Sequence, residues 1–225
     1  GAYERTFYPW EKLDMAHAAR FAYPGMCRMA ERFSYRIRQV RQKIVRELLF
    51  GQSKWRNDLM NTFLESLYSD SRSEKIPQDR DIFGVLIGTW DILWIDHLDS
   101  AEMRSVKGEW LFSRVLDGTA VQDTFIVPSR NERKIHPQPD AEYGTTIRIY
   151  NPKTGLWDIF YGCMGVVFRL TGEKHGDELI LTENTGHAMR YIFSDITLSS
   201  FKWRKEILTD EKNWKIIAKV EAMRG

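Results

Sequence analysis

The sequence predicts a mainly β protein, with an up-and-down antiparallel barrel of about ten strands (residues 79–225) after an α-helical N-terminal extension (residues 1–78). Three observations carry this prediction. From Ile87 onward, apolar and polar residues alternate in short runs, which is the period of a half-buried strand. The connections between these runs are short and turn-prone, so successive strands are expected to be antiparallel neighbours. Within the extension, apolar residues instead recur every three or four positions, which indicates helix.

The extension contains two predicted helices. The first runs through residues 26–50 after Pro24, and Ser53 can cap the second. The apolar stripe of the first helix consists of Ala30, Phe33, Ile37, Val40, Ile44 and Leu48. Because this stripe is too apolar to remain in water, we predict that the helices pack on the barrel or on a second copy of the chain, as in a homodimer. The polar, proline-containing segment 69–81 is predicted to be a linker.

The barrel prediction follows from the strands and their turns. The predicted strands are approximately 87–97, 105–116, 119–128, 143–151, 155–163, 165–171, 177–184, 186–196, 199–208 and 213–222. Turns such as DGT at 117–119 and NPKTG at 151–155 separate them. An open meander would leave two exposed edges, so closure into a barrel is the natural solution. The one long connection, 128–142, is polar and is expected to be mobile.

Charge is spread unevenly over the 225 residues, whose formal net charge is +2. Residues 1–80 hold 15 basic and 10 acidic side chains, and the remainder hold 18 and 21. Such opposite charges favour contact between the two parts. The basic face of the first helix could also bind an anionic surface, but no aromatic residues interleave it in the manner of RNA-binding proteins, so nucleic acid is not expected as a partner.

Several features favour the cytoplasm and argue against a membrane span. No apolar run approaches the roughly 20 residues that a spanning helix needs. The first residues, GAYERTFYPWEKLD, lack the apolar stretch of a signal peptide. Cys27 and Cys163 lie far apart and match no metal or redox spacing, which favours two buried thiols in a reducing compartment.

Five motifs in the second part resemble the lipocalin-like (calycin) barrels, in particular a largely uncharacterised bacterial lipocalin-like family. They are GTW at 88–90, GEWLFSRVLDGTAVQDTFIVP at 108–128, YGTTIRIYNPKTGLW at 143–157, RYIFSDITLSSFKWR at 190–204 and TDEKNWK at 209–215. The resemblance covers about 140 residues and leaves the extension unassigned. It implies that Trp90 lies inside the closed end of the barrel and packs against a basic residue of a late strand, Lys202 or Arg204.

A ten-stranded barrel is wide enough to enclose a ligand, and such cavities are apolar with a few fixed polar groups. The predicted ligand-binding residues are Trp94, Trp110, Gln122, Arg148, Trp157, Tyr161, Arg190 and Trp203. If either arginine points inward, it can hold a carboxylate or phosphate. Gln122 and Asp123 are neighbours, so only one of them faces the interior.

Neither a metal ion nor another cofactor is expected, because no histidine stands at metal-ligand spacing with another ligand residue. His187 is the one histidine on a predicted strand that could point inward. The leading hypothesis is therefore that the barrel binds a small hydrophobic or amphipathic molecule in its interior. In one form of this hypothesis the molecule is anionic. Two alternatives remain open: a barrel enzyme of the cyclase, isomerase or lyase type, and a protein-interaction module that works through its helices.

Overall fold

The computed structural model describes residues 39–40, 61–186, 188–210 and 212–225. Residues 63–225 form one compact unit. Residues 39–40 and 61–67 are helical, but most of the predicted extension lies outside the described residues, so its two helices stay a prediction.

Eleven strands follow in the described part of the chain. They are β1 Tyr68–Ser69, β2 Gly88–Asp96, β3 Arg104–Val115, β4 Ala120–Val127, β5 Glu142–Asn151, β6 Leu156–Cys163, β7 Val166–His175, β8 Glu178–Glu183, β9 Met189–Ser194, β10 Ser200–Leu208 and β11 Trp214–Arg224. Short 3-10 helices span Gln78–Arg80 and Gly84–Leu86. The predicted long loop contains one helical turn, Glu132–Ile135.

Strands β2 to β11 close into a ten-stranded antiparallel barrel. Each strand from β3 to β10 pairs with the next one, while β2 pairs with both β3 and β11 and so closes the circle. Every pairing is antiparallel, which confirms the predicted mainly β, up-and-down closed barrel. The short β1 pairs with the end of β3, where Tyr68 lies opposite Val115.

The alternation of each strand separates an apolar interior from a polar outer face. In β2, Trp90 and Ile92 are buried whereas Thr89 and Asp91 are exposed. The same period continues through the barrel and gathers a single aromatic-rich core. This core positions the site, because it fills one end of the barrel more completely than the other.

The closed end of the barrel is covered by the segment that precedes β2. Ile76, Phe83 and Leu86 are fully buried there. Phe83 packs edge-on against Trp157, with 5.2 Å between ring centroids, and Trp157 Nε1 donates to the Arg80 carbonyl oxygen at 3.0 Å. Much of the segment predicted to be a linker is therefore part of the barrel unit, because its few apolar residues seal the closed end.

Trp90 lies at this closed end, as the resemblance implies, but its basic neighbour differs from the expectation. The Arg224 guanidinium lies 4.1 Å from the Trp90 ring centroid. Lys202 instead pairs with Asp195, and Arg204 pairs with Glu178. The sequence expectation was wrong because both of those side chains alternate to the outer face of β10.

The glycine of the GTW motif has a direct physical reason. Gly88 adopts a φ of +131°, a region that side chains other than glycine rarely occupy. A Cβ atom at this position would also lie 2.3 Å from Arg224 Nη1. Gly88 thus allows Arg224 to reach back over Trp90 and to donate from Nη1 to the Ile87 carbonyl oxygen at 3.0 Å.

Candidate functional site

A cavity of about 460 Å³ lies inside the barrel. Aromatic side chains are the commonest residues of its walls, which come from most of the strands. The wall residues include Trp94, Trp110, Phe125, Tyr161, Tyr191 and Trp203. This volume lies within the range of about 300–1,000 Å³ that is typical of small-molecule sites.

The mouth of the cavity lies between the β4–β5 connection and the β6–β7 turn. Asp140 and Met164 line it there, and both are exposed to solvent. Asp140 is held by Arg104, whose Nη1 lies 2.6 Å from Asp140 Oδ2 and whose Nη2 lies 2.5 Å from Asp96 Oδ2. This pair of contacts anchors the long β4–β5 connection to the rim.

The aromatic walls support one another through ring contacts. Trp203 stacks on Tyr191 with 5.7 Å between centroids and lies 5.8 Å from Trp94. Trp110 meets Phe125 edge-on at 4.9 Å. Such contacts add to area burial and hold the rings in place, so the cavity is largely preformed. These walls would make their best contacts with a planar, apolar surface.

The floor of the cavity contains a buried ion pair. Arg148 Nη2 lies 2.6 Å from Asp123 Oδ2, and both side chains are almost completely buried. Asp123 Oδ1 also accepts a hydrogen bond from the Thr146 backbone N–H at 3.1 Å. The guanidinium carbon lies 5.1 Å from the Phe83 ring centroid and 5.3 Å from that of Phe112. Two aromatic faces thus partly replace the water that the cation has lost.

Close to the mouth, the Tyr161 hydroxyl donates a hydrogen bond to Glu142. Burial raises the pKa of Glu142, and the hydrogen bond from Tyr161 opposes that rise. Burial and the neighbouring carboxylate raise the pKa of the Tyr161 phenol, which therefore stays protonated as the donor. Cys163, predicted to be a core thiol, is half-buried beside Tyr161 and lines the cavity.

Lys205 contributes an amine to the same cavity. Burial lowers the pKa of this lysine, and the charges of Glu142 and Glu183 act in the opposite direction. Perturbed titratable groups that face a cavity are candidates for a functional site.

The structure places five of the eight predicted ligand-binding residues on the cavity wall, namely Trp94, Trp110, Arg148, Tyr161 and Trp203. Between the neighbours Gln122 and Asp123, the acid is the inward one. Gln122 lies on the outer face, where its Nε2 donates to Thr145 Oγ1 at 3.1 Å.

The other two predicted residues also lie away from the cavity. Trp157 points inward but is packed at the closed end against Phe83, below the cavity. Arg190 is on the outer face, where it pairs with Glu206 and lies 4.2 Å from the Trp214 ring centroid. The physical reason is alternation: Tyr191 takes the inward position on β9, so its neighbour Arg190 must face outward.

Sequence reasoning missed Phe125, Glu142, Tyr191 and Lys205, which all line the cavity. A signal for one of them was present. Because Trp203 was predicted to face inward, the period of two also directs Lys205 inward along β10. Glu142 stands at the start of β5, beside the long connection, where the alternation of the strand could not be extrapolated.

Among the described residues, no group of three or more histidine, cysteine, aspartate or glutamate side chains is arranged to hold a metal ion. His187 is outside the described residues, so the prediction about it stays untested. Within the described part of the chain, no helix has the length and apolar character to cross a membrane.

Comparison of the sequence with known protein families finds no match, and comparison with curated proteins finds none either. Among solved structures, Rv2717c from M. tuberculosis is similar with a TM-score of 0.46 and 10% identity, over 69% of this chain and 99% of that chain. The S-type phycobiliprotein lyase CPES from Guillardia theta has a TM-score of 0.45 and 14% identity, over 68% and 95% of the two chains. Both likenesses are weak, and the site described above rests on this chain's own contacts.

Proposed function

We propose that the barrel binds one small hydrophobic or amphipathic molecule in its cavity. The observation that carries this proposal is the cavity itself: about 460 Å³, lined by aromatic side chains and bordered by the solvent-exposed residues Asp140 and Met164. A barrel built only for packing would fill this space, since empty apolar volume costs stability.

The composition of the lining supports a ligand that is mostly apolar with a small polar part. Aromatic rings supply the largest share of the wall, whereas the charged lining residues are few. They are Asp140, Glu142, Lys205 and Arg148, the last of which pairs with Asp123. A few polar groups in an apolar pocket fix the orientation of a ligand. The relation to the bacterial lipocalin-like family, which rests on the five sequence motifs, is part of the same proposal.

The test is titration with an apolar fluorescent probe such as an anilinonaphthalene, followed by the quenching of tryptophan emission. We expect saturable binding with about one probe per chain. Trp110→Leu and Trp203→Leu should each weaken binding several-fold, because both side chains line the cavity.

Trp214→Leu is the matched control, since Trp214 stacks with Arg190 on the outer face. We expect it to leave the affinity for the probe unchanged. Equal loss in all three variants, or absence of saturable binding to the wild-type chain for probes of several sizes, would contradict the proposal.

A further inference from the structure

The amine of Lys205 has different surroundings from the amines of Lys202 and Lys215 on strands β10 and β11. Lys205 faces the cavity from β10, opposite Tyr191 on one side and Ala218 on the other. On the same strand, Lys202 points outward and pairs with Asp195 at 2.9 Å. Lys215 on β11 pairs with Asp99 at 2.8 Å. Lys205 is thus the lysine of these strands whose amine is directed into the ligand space.

The surroundings of this amine withdraw it from water. Within the described part of the chain, Lys205 makes no ion pair, and its Nζ lies 5.7 Å from the Tyr191 ring centroid. Removal from water penalises an ammonium group, so burial lowers the pKa of Lys205, while the charges of Glu142 and Glu183 oppose part of this effect. A neutral lysine amine is a nucleophile, and desolvation in an apolar pocket is a recognised way to produce one.

Two carboxylates act on the same amine and narrow the class of ligand. Glu142 and Glu183 both interact electrostatically with Lys205. Of these two, Glu142 lines the cavity, and its carboxylate would repel an anionic group brought to Lys205. A neutral carbonyl group would carry no such penalty.

Groups that can move protons stand in the same cavity. The Tyr161 hydroxyl is hydrogen-bonded to Glu142, and both residues line the cavity with Lys205. Reaction of an amine with a carbonyl requires a proton to leave the nitrogen and a proton to reach the departing oxygen. A carboxylate–phenol pair can serve as acceptor and donor for these transfers.

Building on the proposed binding function, we propose that Lys205 forms a reversible imine with a neutral aldehyde ligand held in the cavity. The Nζ lone pair attacks the carbonyl carbon, and one proton passes from nitrogen to the carbonyl oxygen to give a carbinolamine. The hydroxyl group then leaves as water with a second proton, originally on nitrogen, while the C=N bond forms. No oxidant, reductant or further co-reactant is consumed.

The experiment uses the full chain with 2-naphthaldehyde as the probe and borohydride to trap the imine as a stable amine, followed by intact-mass measurement and peptide mapping. We expect one main adduct, on Lys205, formed at least ten times faster than at any other lysine. Lys205→Met should abolish it, because methionine keeps the apolar volume and removes the amine. Lys202→Arg, which changes the paired outward lysine, should leave the adduct unaffected.

A second ligand separates failure of this inference from failure of the binding function. 2-Naphthalenemethanol has the same ring system without the carbonyl, and we expect it to quench tryptophan emission equally in the wild type and in Lys202→Arg. A cooperative thermal unfolding transition, followed by circular dichroism, verifies that Lys205→Met is folded. If the alcohol binds but trapping is spread evenly over the lysines, the imine inference is overturned and the binding function stands. If neither compound binds, both are overturned.

Discussion

At the scale of single residues, the ion pair of Arg148 and Asp123 at the cavity floor is costly because both charges are buried. Removing two charges from water costs several kcal/mol each, and close geometry has to repay that cost. In this pair the desolvation cost is offset by the 2.6 Å contact, by the hydrogen bond from the Thr146 N–H and by the two phenylalanine faces beside Arg148. The pair is therefore stable only while both partners are present.

This reasoning predicts a double-mutant result. Arg148→Met should lower the free energy of unfolding by about 3–5 kcal/mol, because it leaves the buried Asp123 carboxylate uncompensated. The combination of Arg148→Met with Asp123→Asn should recover at least half of that loss, since the amide oxygen can still accept from the Thr146 N–H. Denaturant titration of both variants measures the difference. A double variant as unstable as the single one would show that packing, and not charge, is what Arg148 contributes.

Trp90 leads to a second prediction at this scale. Its ring is fully buried, its Nε1 donates to the Leu86 carbonyl oxygen at 2.7 Å, and its centroid lies 4.8 Å from that of Phe201. Trp90→Ala should cost about 3–5 kcal/mol, as for other large-to-small core substitutions. The half-buried, outer-face Trp214→Ala is the comparison and should cost clearly less. A loss below about 1 kcal/mol for Trp90→Ala in denaturant titration would mean that Trp90 does not plug the closed end.

At the scale of elements, β10 shows how one strand serves two environments. Its inward residues, including Trp203 and Lys205, face the cavity. Its outward residue Glu206 is nevertheless buried, because Arg190 and Arg204 cover it and hydrogen-bond to it. Arg204 continues to Glu178 at 2.9 Å, so the cluster ties β8, β9 and β10 together.

The cluster predicts an acid sensitivity. Burial by itself would raise the pKa of Glu206, but the hydrogen bonds from Arg204 and Arg190 outweigh it and lower the pKa. A carboxyl group whose pKa is lowered by folding stabilises the protein at pH values above its pKa in the unfolded chain. That stability is lost as the pH falls through its pKa in the folded protein. Glu206→Gln should therefore be destabilised at neutral pH, and its deficit relative to wild type should shrink as the pH falls below the ordinary glutamate range.

Unfolding measured from neutral pH to about pH 3 tests this prediction. Glu221→Gln, an exposed position on β11, serves as the control and should show little deficit at any pH. A deficit for Glu206→Gln that is the same at both ends of the range would exclude the carboxylate charge as its cause.

At the scale of the whole molecule, barrel closure depends on residues that precede the strands. Ile76 is 1% exposed at the closed end, and the Ser73 N–H donates to the Gly118 carbonyl oxygen at 3.1 Å. Gly118 itself has a φ of +71°, and a Cβ there would lie 2.2 Å from the Ser71 carbonyl oxygen. The segment before β2 is thus fitted closely against the β3–β4 turn.

A truncation series should therefore show a sharp step. A chain of residues 63–225 keeps β1 and Ile76, whereas a chain of residues 77–225 loses both. The shorter chain should unfold at a clearly lower denaturant concentration than the longer one. Unchanged stability of the shorter chain would show that Ile76 and β1 contribute nothing to the closed end.

The same series examines the prediction that the extension packs on the barrel or on a second copy. Light scattering of the full chain and of residues 63–225 gives their oligomeric states. A dimer that becomes monomeric on truncation would support pairing through the extension. The prediction is contradicted if truncation changes neither oligomeric state, solubility nor stability.

The sequence by itself determined the strands, their antiparallel order and the closure of the barrel. The period of two and the short turns are local properties, so they can be read from neighbouring residues. The buried position of Trp90 was implied by the resemblance of the GTW motif to the lipocalin-like barrels. The inward position of Trp94 followed from alternation, because Trp94 lies four residues after Trp90 on the same strand.

Only the tertiary structure decided which partners meet across the barrel. Arg224 reaches Trp90 from the far end of the chain, and Asp123 rather than Gln122 meets Arg148. Arg190 faces Glu206 outside the barrel, although its sequence context would suit either face. The volume left empty is likewise a sum over side chains from distant strands. These outcomes depend on register and closure, which bring together residues that no local pattern relates, and for that reason the cavity had to be seen in three dimensions.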